Sequence, residues 1–148
     1  LNDLLPSLGV RVLSNALLAL NPPGKPGAPT WIAGMGELWL HEFGFHEIRA
    51  AYAELANSGA LIVLGHNPDA MHEVAPADTA DLFLFGHTHA GQIHLPFWPG
   101  FGIPCRGPWF RGEHTLPQGR IYITSGVGET SSSCRLGTTC EVVVVRVK

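Results

Sequence analysis

The stretch ALIVLGHNPDAMHEVAPADTADLFLFGHTHAGQIH, residues 60–94, decides the fold of this chain. It contains two short apolar runs, Ala60–Leu64 and Leu82–Phe85, and Gly-His follows each run directly. Uncharged runs of this length, bounded by turn residues, are typical of parallel strands buried on both faces. The segment between the runs is long enough for a right-handed crossover, so we expect the two strands to be parallel neighbours.

Three histidines follow these predicted strands. His66 and His87 come at the carboxyl ends, where open α/β sheets bind their ligands, and His89 is two residues further on. Alternate residues of an extended segment point the same way, about 6.5 to 7 Å apart, so His87 and His89 bind either one metal or one metal each of a close pair. A lone histidine is more often an ordinary hydrogen-bonded side chain, but three neutral imidazoles brought together predict a metal site.

The length and composition of the chain limit its number of domains and the kinds of partner that it can bind. A length of 148 residues suits one domain, while 45% apolar and only 14% charged residues are lean in charge for a free-standing domain. A missing partner surface would explain this balance. The net charge of −3 gives no general attraction to nucleic acid, so no nucleic-acid partner is predicted.

The sequence gives little information on the compartment. No run of 18 apolar residues is present, so no membrane span is expected in this chain. Residue 1 is Leu and not Met, and the location stays open between the cytoplasm and association with a membrane through an upstream segment. The three cysteines lack C-x-x-C spacing and are expected to be reduced thiols, although a bridge between Cys134 and Cys140 stays open.

The remaining segments carry ordinary helix, strand and loop signals. Apolar spacing and the stop Asn-Ser-Gly predict an amphipathic helix over residues 42–56 that covers the sheet. The other predictions are a helix end at 1–8, strands at 10–13, 30–35, 120–124 and 141–147, and a long loop at 91–119.

Three residues are candidates for substrate binding. Asn67, before Pro68, is expected to cap a short helix and to present backbone N–H groups beside His66, a suitable place for a phosphate oxygen. Arg106 and Arg111 lie in the aromatic-rich loop, which forms either a substrate wall or a self-packed cluster with solvated arginines. The aromatic residues of that loop are Phe97, Trp98, Trp109 and Phe110.

The two histidine motifs carry a resemblance to a known family. GHNPD (residues 65–69) and GHTHAGQ (residues 86–92) resemble the C-terminal half of calcineurin-like metallophosphoesterases, in particular the small bacterial branch with GHxPD and GHTHGGQ. A weaker likeness continues in GVRVLSN (residues 9–15) and in residues 121–142. The resemblance implies an α/β fold in which residues 1–148 form a single fragment, the C-terminal half of a four-layer αββα metallophosphoesterase sandwich.

The resemblance also implies a chemistry and a ligand set. It implies a hydrolase for phosphate esters, a phosphodiesterase or phosphatase, with a binuclear centre of two divalent metal ions, Mn being favoured over Zn, Fe and Mg. His66 and His87 resemble the ligands of one metal, and His89 resembles a ligand of the other. Three imidazoles alone lack the carboxylate that bridges two metals and offsets their charge.

Other family motifs do not occur in this sequence. D-x-H, G-D-x-x-D and G-N-H-D are absent, so the catalytic group and the remaining metal ligands are expected in a missing N-terminal half, and this chain alone is expected to be inactive. Ala90 replaces the second glycine of GHTHGGQ, and Cys140 replaces the usual proline before Glu141. The competing hypotheses are a non-catalytic scaffold that keeps the fold and a self-sufficient zinc-binding module.

Overall fold

The computed structural model describes residues 4–20, 27, 29–55, 59–95, 97, 103–130 and 134–147. Among these residues, six strands form one sheet in the order β1-β2-β3-β4-β6-β5. The strands are β1 (Ala16–Leu20), β2 (Thr30–Gly34), β3 (Ala60–Leu64), β4 (Leu82–Phe85), β5 (Gly112–Leu116) and β6 (Gly119–Ile123). The helices are α1 (Leu4–Ser7) and α2 (Phe45–Glu54), with 3-10 turns at Pro68–His72 and His89–Gly91.

The strand pairing confirms the predicted α/β class. β2, β3, β4 and β6 are mutually parallel, whereas β1 and β5 pair antiparallel at the two edges. β3 and β4 are parallel neighbours, with Ile62 opposite Leu82. The six-stranded mixed sheet with few helices is consistent with part of the sandwich that the family resemblance implies. All the parallel strands therefore end at the same edge of the sheet.

One helix covers the middle of the sheet. Phe45, Ile48 and Tyr52 are buried at helical spacing on α2, and the Phe45 ring lies 5.5 Å from the ring of Phe83 on β4. Leu61, Val63, Ile121 and Ile123 from the central strands complete this core. The amphipathic helix predicted over residues 42–56 is confirmed and lies at Phe45–Glu54, although residues 56–58 are outside the described residues. This core fixes the central strands, whose ends present the histidines.

The strand predicted at residues 10–13 is wrong. Val10 and Val12 are 48% and 45% exposed, and the first strand begins only at Ala16. Asn15 causes this shift, because it has φ 48° and its side-chain amide donates to the Glu42 carbonyl while its oxygen accepts from a backbone N–H. The turn at Asn15 thus directs the chain into β1, which begins three residues after the end of the predicted strand.

The strand predicted at residues 141–147 is also wrong. β6 is already flanked by β4 and β5, so residues 141–147 pair with no strand of the described sheet, and their valines are 36% to 88% exposed. The loop prediction for 91–119 missed β5, whose sequence GEHTL is polar and forms a hairpin with β6. The strands predicted at 30–35 and 120–124 are confirmed. Where described, the helix predicted at 1–8 is α1.

Two further observations concern the membrane and the cysteines. No helix within the described residues has the length and hydrophobicity needed to cross a lipid bilayer. Cys105, Cys134 and Cys140 are free thiols in the structure, and the last two are exposed. The structure therefore contains no disulfide bridge between Cys134 and Cys140.

Candidate metal centre

The ends of β3 and β4 bring His66 and His87 together. Nδ1 of His87 lies 2.9 Å from Nε2 of His66, and the ring centroids are 4.6 Å apart. The hydrogen-bonded ladder between the two strands continues past their ends, because Gly65 N–H donates to the Leu84 carbonyl and Gly86 N–H donates to the His66 carbonyl. The parallel register therefore sets the distance between the two imidazoles.

His89 does not continue an extended segment. His87, His89 and Ala90 have φ values of 68°, 50° and 52°, so the chain coils through left-handed conformations and the extended geometry predicted for 87–89 is wrong. Thr88 stabilises this turn, since its hydroxyl donates to the Phe110 carbonyl at 2.6 Å and accepts from Ala90 N–H. Among the described residues, no group of three or more His, Cys, Asp and Glu side chains converges as a complete metal site. The structure thus provides one histidine pair and one separate histidine.

The nitrogen atoms of these rings suit metal binding. Burial lowers the pKa of His87, the neighbouring His66 lowers it further, and the Pro104 carbonyl, Glu37 and Asp69 oppose this shift. His87 is therefore neutral near pH 7, which is the form that ligates metals. Nδ1 of His89 is buried and has no hydrogen-bond partner in the described structure. Because buried polar atoms are normally paired, this orphan nitrogen fits the role of a metal ligand.

Glu37 is a residue at this edge that the sequence analysis missed. It follows β2 by three residues, just as His66 and His87 follow the next two parallel strands. One carboxylate oxygen accepts from the N–H groups of Trp39 and Leu40, while the other is buried and unpaired in the described part of the chain. The strand order β2-β3-β4 is the signal that identifies Glu37, because neighbouring parallel strands end at the same edge of the sheet.

Asn67 caps the first 3-10 turn, as predicted. Its side-chain oxygen accepts from Asp69 N–H at 2.9 Å, and its Nδ2 is buried without a partner in the described structure. The residue is only 2% exposed. The Asp69 carboxylate accepts from the backbone N–H of Arg106 at 2.8 and 2.9 Å. The structure thereby attaches the Arg106 loop to the segment that follows His66 and leaves the Arg106 side chain exposed.

Arg111 lies in a different place from Arg106. Its guanidinium stacks over the Phe110 ring at 5.5 Å and lines a cavity shared with Tyr122 and Glu141. The Tyr122 hydroxyl and the Ser125 backbone N–H hold the Glu141 carboxylate, and these hydrogen bonds lower its pKa. Arg106 lines a different cavity, together with Trp39 and Glu73.

The aromatic residues of the loop do not form one wall. Trp109 packs against the core and against His72, with ring centroids 4.9 Å apart, whereas Phe97 is fully exposed. Trp98 lies outside the described residues. For Trp109, the structure favours the self-packed alternative.

The segment that follows β6 holds the GHTHAGQ turn in place. The Gln92 side-chain amide donates to the Thr130 carbonyl at 2.8 Å and accepts from Thr130 N–H at 2.9 Å. Arg135 donates to the carbonyls of Ser125 and Gly128. Gly128 in turn faces His89, because a Cβ at position 128 would lie 3.7 Å from Cε1 of His89. The left-handed turn that carries His89 is therefore supported from outside by this segment.

Comparisons with known proteins identify relatives of the chain. No protein-family model matches it, and no solved structure matches it. It is 32% identical over 129 residues to the phosphodiesterase YaeI of Escherichia coli, and this alignment covers 86% of the chain and 44% of YaeI. It is 30% identical over 123 residues to the uncharacterized metallophosphoesterase YkuE of Bacillus subtilis (82% of this chain, 42% of YkuE).

A third relative gives the same result. The chain is 32% identical over 120 residues to the uncharacterized metallophosphoesterase Cj0846 of Campylobacter jejuni, covering 79% of this chain and 31% of the relative. The chain spans less than half the length of each of these three curated relatives. With GHNPD and GHTHAGQ at one edge of a parallel sheet, these similarities show that the chain belongs to the calcineurin-like metallophosphoesterase family.

Proposed function

We propose that this chain is the C-terminal part of a metal-dependent phosphoesterase domain that hydrolyses phosphodiesters or small phosphomonoesters. The observation that carries the proposal is the 2.9 Å approach of His87 Nδ1 to His66 Nε2 at the carboxyl edge of the sheet. Zinc–imidazole bonds are about 2.0 to 2.1 Å long, so two nitrogens bound to one zinc-sized ion at 90° to 109° lie about 2.8 to 3.4 Å apart. The pair is thus spaced for one divalent ion.

The same distance also fits an N–H···N hydrogen bond. In that state one of the two facing nitrogens carries a proton. Two nitrogens that bind one ion would both have to be unprotonated, so this proton would move to the other nitrogen of its own ring. The lowered pKa of His87 favours metal binding, because protons compete less for its ring nitrogens near neutral pH. We therefore assign His66 and His87 to one ion and His89, on its separate turn, to a second.

The chain's own residues then bind the ions, orient the phosphate group and offset the positive charge of the ions. A pair of divalent ions, manganese being favoured, supplies charge neutralisation at the phosphoryl oxygens and activation of the attacking water when bound. The Glu37 and Asp69 carboxylates place negative charge close to His87, which favours retention of a cation there. The buried, unpaired Nδ2 of Asn67 is a donor beside His66 and would hydrogen-bond an oxygen atom at this edge.

The rest of the site is proposed to come from an N-terminal half. Three imidazoles bring no negative charge, so further carboxylates are needed to hold two divalent ions. Each of the three relatives has more than half of its length outside the matched region, which leaves room for such a half. The proposed catalytic group for the leaving alcohol lies there too.

The test uses the parent protein with its upstream half. With Mn²⁺ present, the protein is expected to hydrolyse bis(4-nitrophenyl) phosphate, and His87→Ala is expected to abolish this hydrolysis. His46→Ala is the matched control, because His46 is an exposed histidine on α2. Full activity in the His87→Ala protein, or an equal loss in both variants, would overturn the proposal.

A further inference from the structure

We propose that a cavity beside Trp39 receives the organic group of the phosphate ester and selects esters whose organic group is aromatic or otherwise flat and apolar. This inference rests on the proposed function. The cavity has a volume of about 580 Å³, within the range of small-molecule sites. It is lined by Leu38, Trp39, His41, Phe43, Glu73 and Arg106.

Trp39 connects this cavity to the histidine pair. Its ring contacts the His87 ring in a T-shaped arrangement, with centroids 4.5 Å apart and an interplanar angle of 83°. One side chain therefore borders both the cavity and the proposed metal ligand. A phosphate ester whose phosphorus lies at the two histidines would extend its organic group past the indole ring and into the cavity.

The position of Trp39 is fixed by its own turn. Its backbone N–H, with that of Leu40, donates to the Glu37 carboxylate, and Glu42 N–H donates to the Glu37 carbonyl at 3.0 Å. Trp39 nevertheless remains 54% exposed. A large apolar side chain on a hydrogen-bonded turn, left half-exposed at a site edge, offers contact area at low entropic cost.

The opposite wall of the cavity belongs to the segment that follows His66. The Asp69 carboxylate accepts hydrogen bonds from the backbone N–H of Arg106. Asp69 lies in the 3-10 turn Pro68–His72, and Glu73 is the C-cap residue of that turn. Arg106 and Glu73 bring one positive and one negative charge to the lining, so the cavity has no net charge preference from these two side chains. Selection then falls to the apolar contacts with Trp39, Leu38 and Phe43.

The experiment compares two phosphonates that differ only in the organic group. Calorimetry measures the Kd of phenylphosphonate and of methylphosphonate for the Mn²⁺-loaded parent protein and its variants. We expect Trp39→Ala to weaken phenylphosphonate by about tenfold, the range of one well-placed aromatic contact, and to leave methylphosphonate unchanged. Trp39→Phe is expected to restore most of the preference for phenylphosphonate.

Leu40→Ala is the matched control. Leu40 is the next residue along, is 67% exposed and does not line the cavity, so both Kd values should stay the same. Equal weakening of both phosphonates by Trp39→Ala, or no change in either, would overturn the inference. Hydrolysis of bis(4-nitrophenyl) phosphate by the unmodified protein, measured separately, decides the proposed function, so the two failures are distinguishable.

Discussion

The two glycines that precede the site histidines have different steric surroundings, and this gives a sharp prediction. A Cβ at Gly65 would lie 2.5 Å from Cε1 and 2.9 Å from Cδ1 of Phe85, and 2.7 Å from the methyl group of Met35. A Cβ at Gly86 would meet nothing closer than a methyl group of Thr124 at 3.9 Å. Neither glycine has a positive φ, so packing alone distinguishes them.

The magnitude follows from what can move. The end of the Met35 side chain is flexible, but the Phe85 ring is 2% exposed and stacks parallel to Phe83 at 6.4 Å, so it has little free space. Overpacking a core by one methyl group costs about 1 to 3 kcal/mol, and Gly65→Ala should lower the free energy of unfolding by that amount. Gly86→Ala should change it by less than about 1 kcal/mol, since reduced freedom of the unfolded chain offsets a mild contact.

Urea denaturation measures both variants against the unmodified protein. The expected result is a lower midpoint for Gly65→Ala at an unchanged m-value, and a midpoint close to the unmodified value for Gly86→Ala. Because Phe85 lies two residues before His87, Gly65→Ala should also weaken metal binding. Equal stability of the two variants would refute the packing argument for Gly65.

Three further predictions concern hydrogen bonding and packing outside the histidine pair. Glu141→Gln should reduce stability at pH 7, because Tyr122 and a backbone N–H lower the pKa of Glu141. The carboxylate stabilises the fold above the ordinary glutamate pKa, and this contribution is lost as the pH falls through the lowered pKa. A plot of urea midpoint against pH should therefore be flatter for the variant than for the unmodified protein. Gly119→Ala should destabilise the protein by about 1 to 3 kcal/mol in thermal unfolding, because φ is +140° and a Cβ would lie 2.0 Å from a backbone carbonyl oxygen. Gln92→Ala should cost about 1 to 2 kcal/mol in urea unfolding through its two lost hydrogen bonds to Thr130, and a change within 0.3 kcal/mol would contradict this.

The central part of the fold was predictable from the sequence. Ala60–Leu64 and Leu82–Phe85 are uncharged, short and each followed by Gly-His, and those features fix both their strand character and their parallel pairing. The helix Phe45–Glu54 was predictable because its buried residues recur at helical spacing. In each case an apolar pattern and a stop signal agree.

The edges of the fold were not predictable from local pattern. Residues 10–13 alternate like a strand, but the Asn15 turn depends on partners more than twenty residues away, at Gly36 and Glu42. β5 carries the polar sequence GEHTL and becomes a strand only through its hairpin with β6. Long-range pairing overrides local propensity at these positions.

The site was predictable only in part, for a similar reason. The spacing of His66 and His87 relative to their strands predicts their meeting, since strand register is a regular geometry. H-x-H spacing does not distinguish an extended segment from a left-handed turn, and the turn at His89 depends on Thr88 bonding to Phe110. Glu37 belongs to no motif, so only the strand order shows its position.

The most direct test of the account is to locate the metal. Crystals of the parent protein grown with Mn²⁺ would be measured at a wavelength where manganese scatters anomalously. If His66 and His87 share one ion, an anomalous peak is expected at bonding distance from both Nε2 of His66 and Nδ1 of His87. Saturating Mn²⁺ with no peak at these two atoms, and the rings still hydrogen-bonded to each other, would contradict a shared ion.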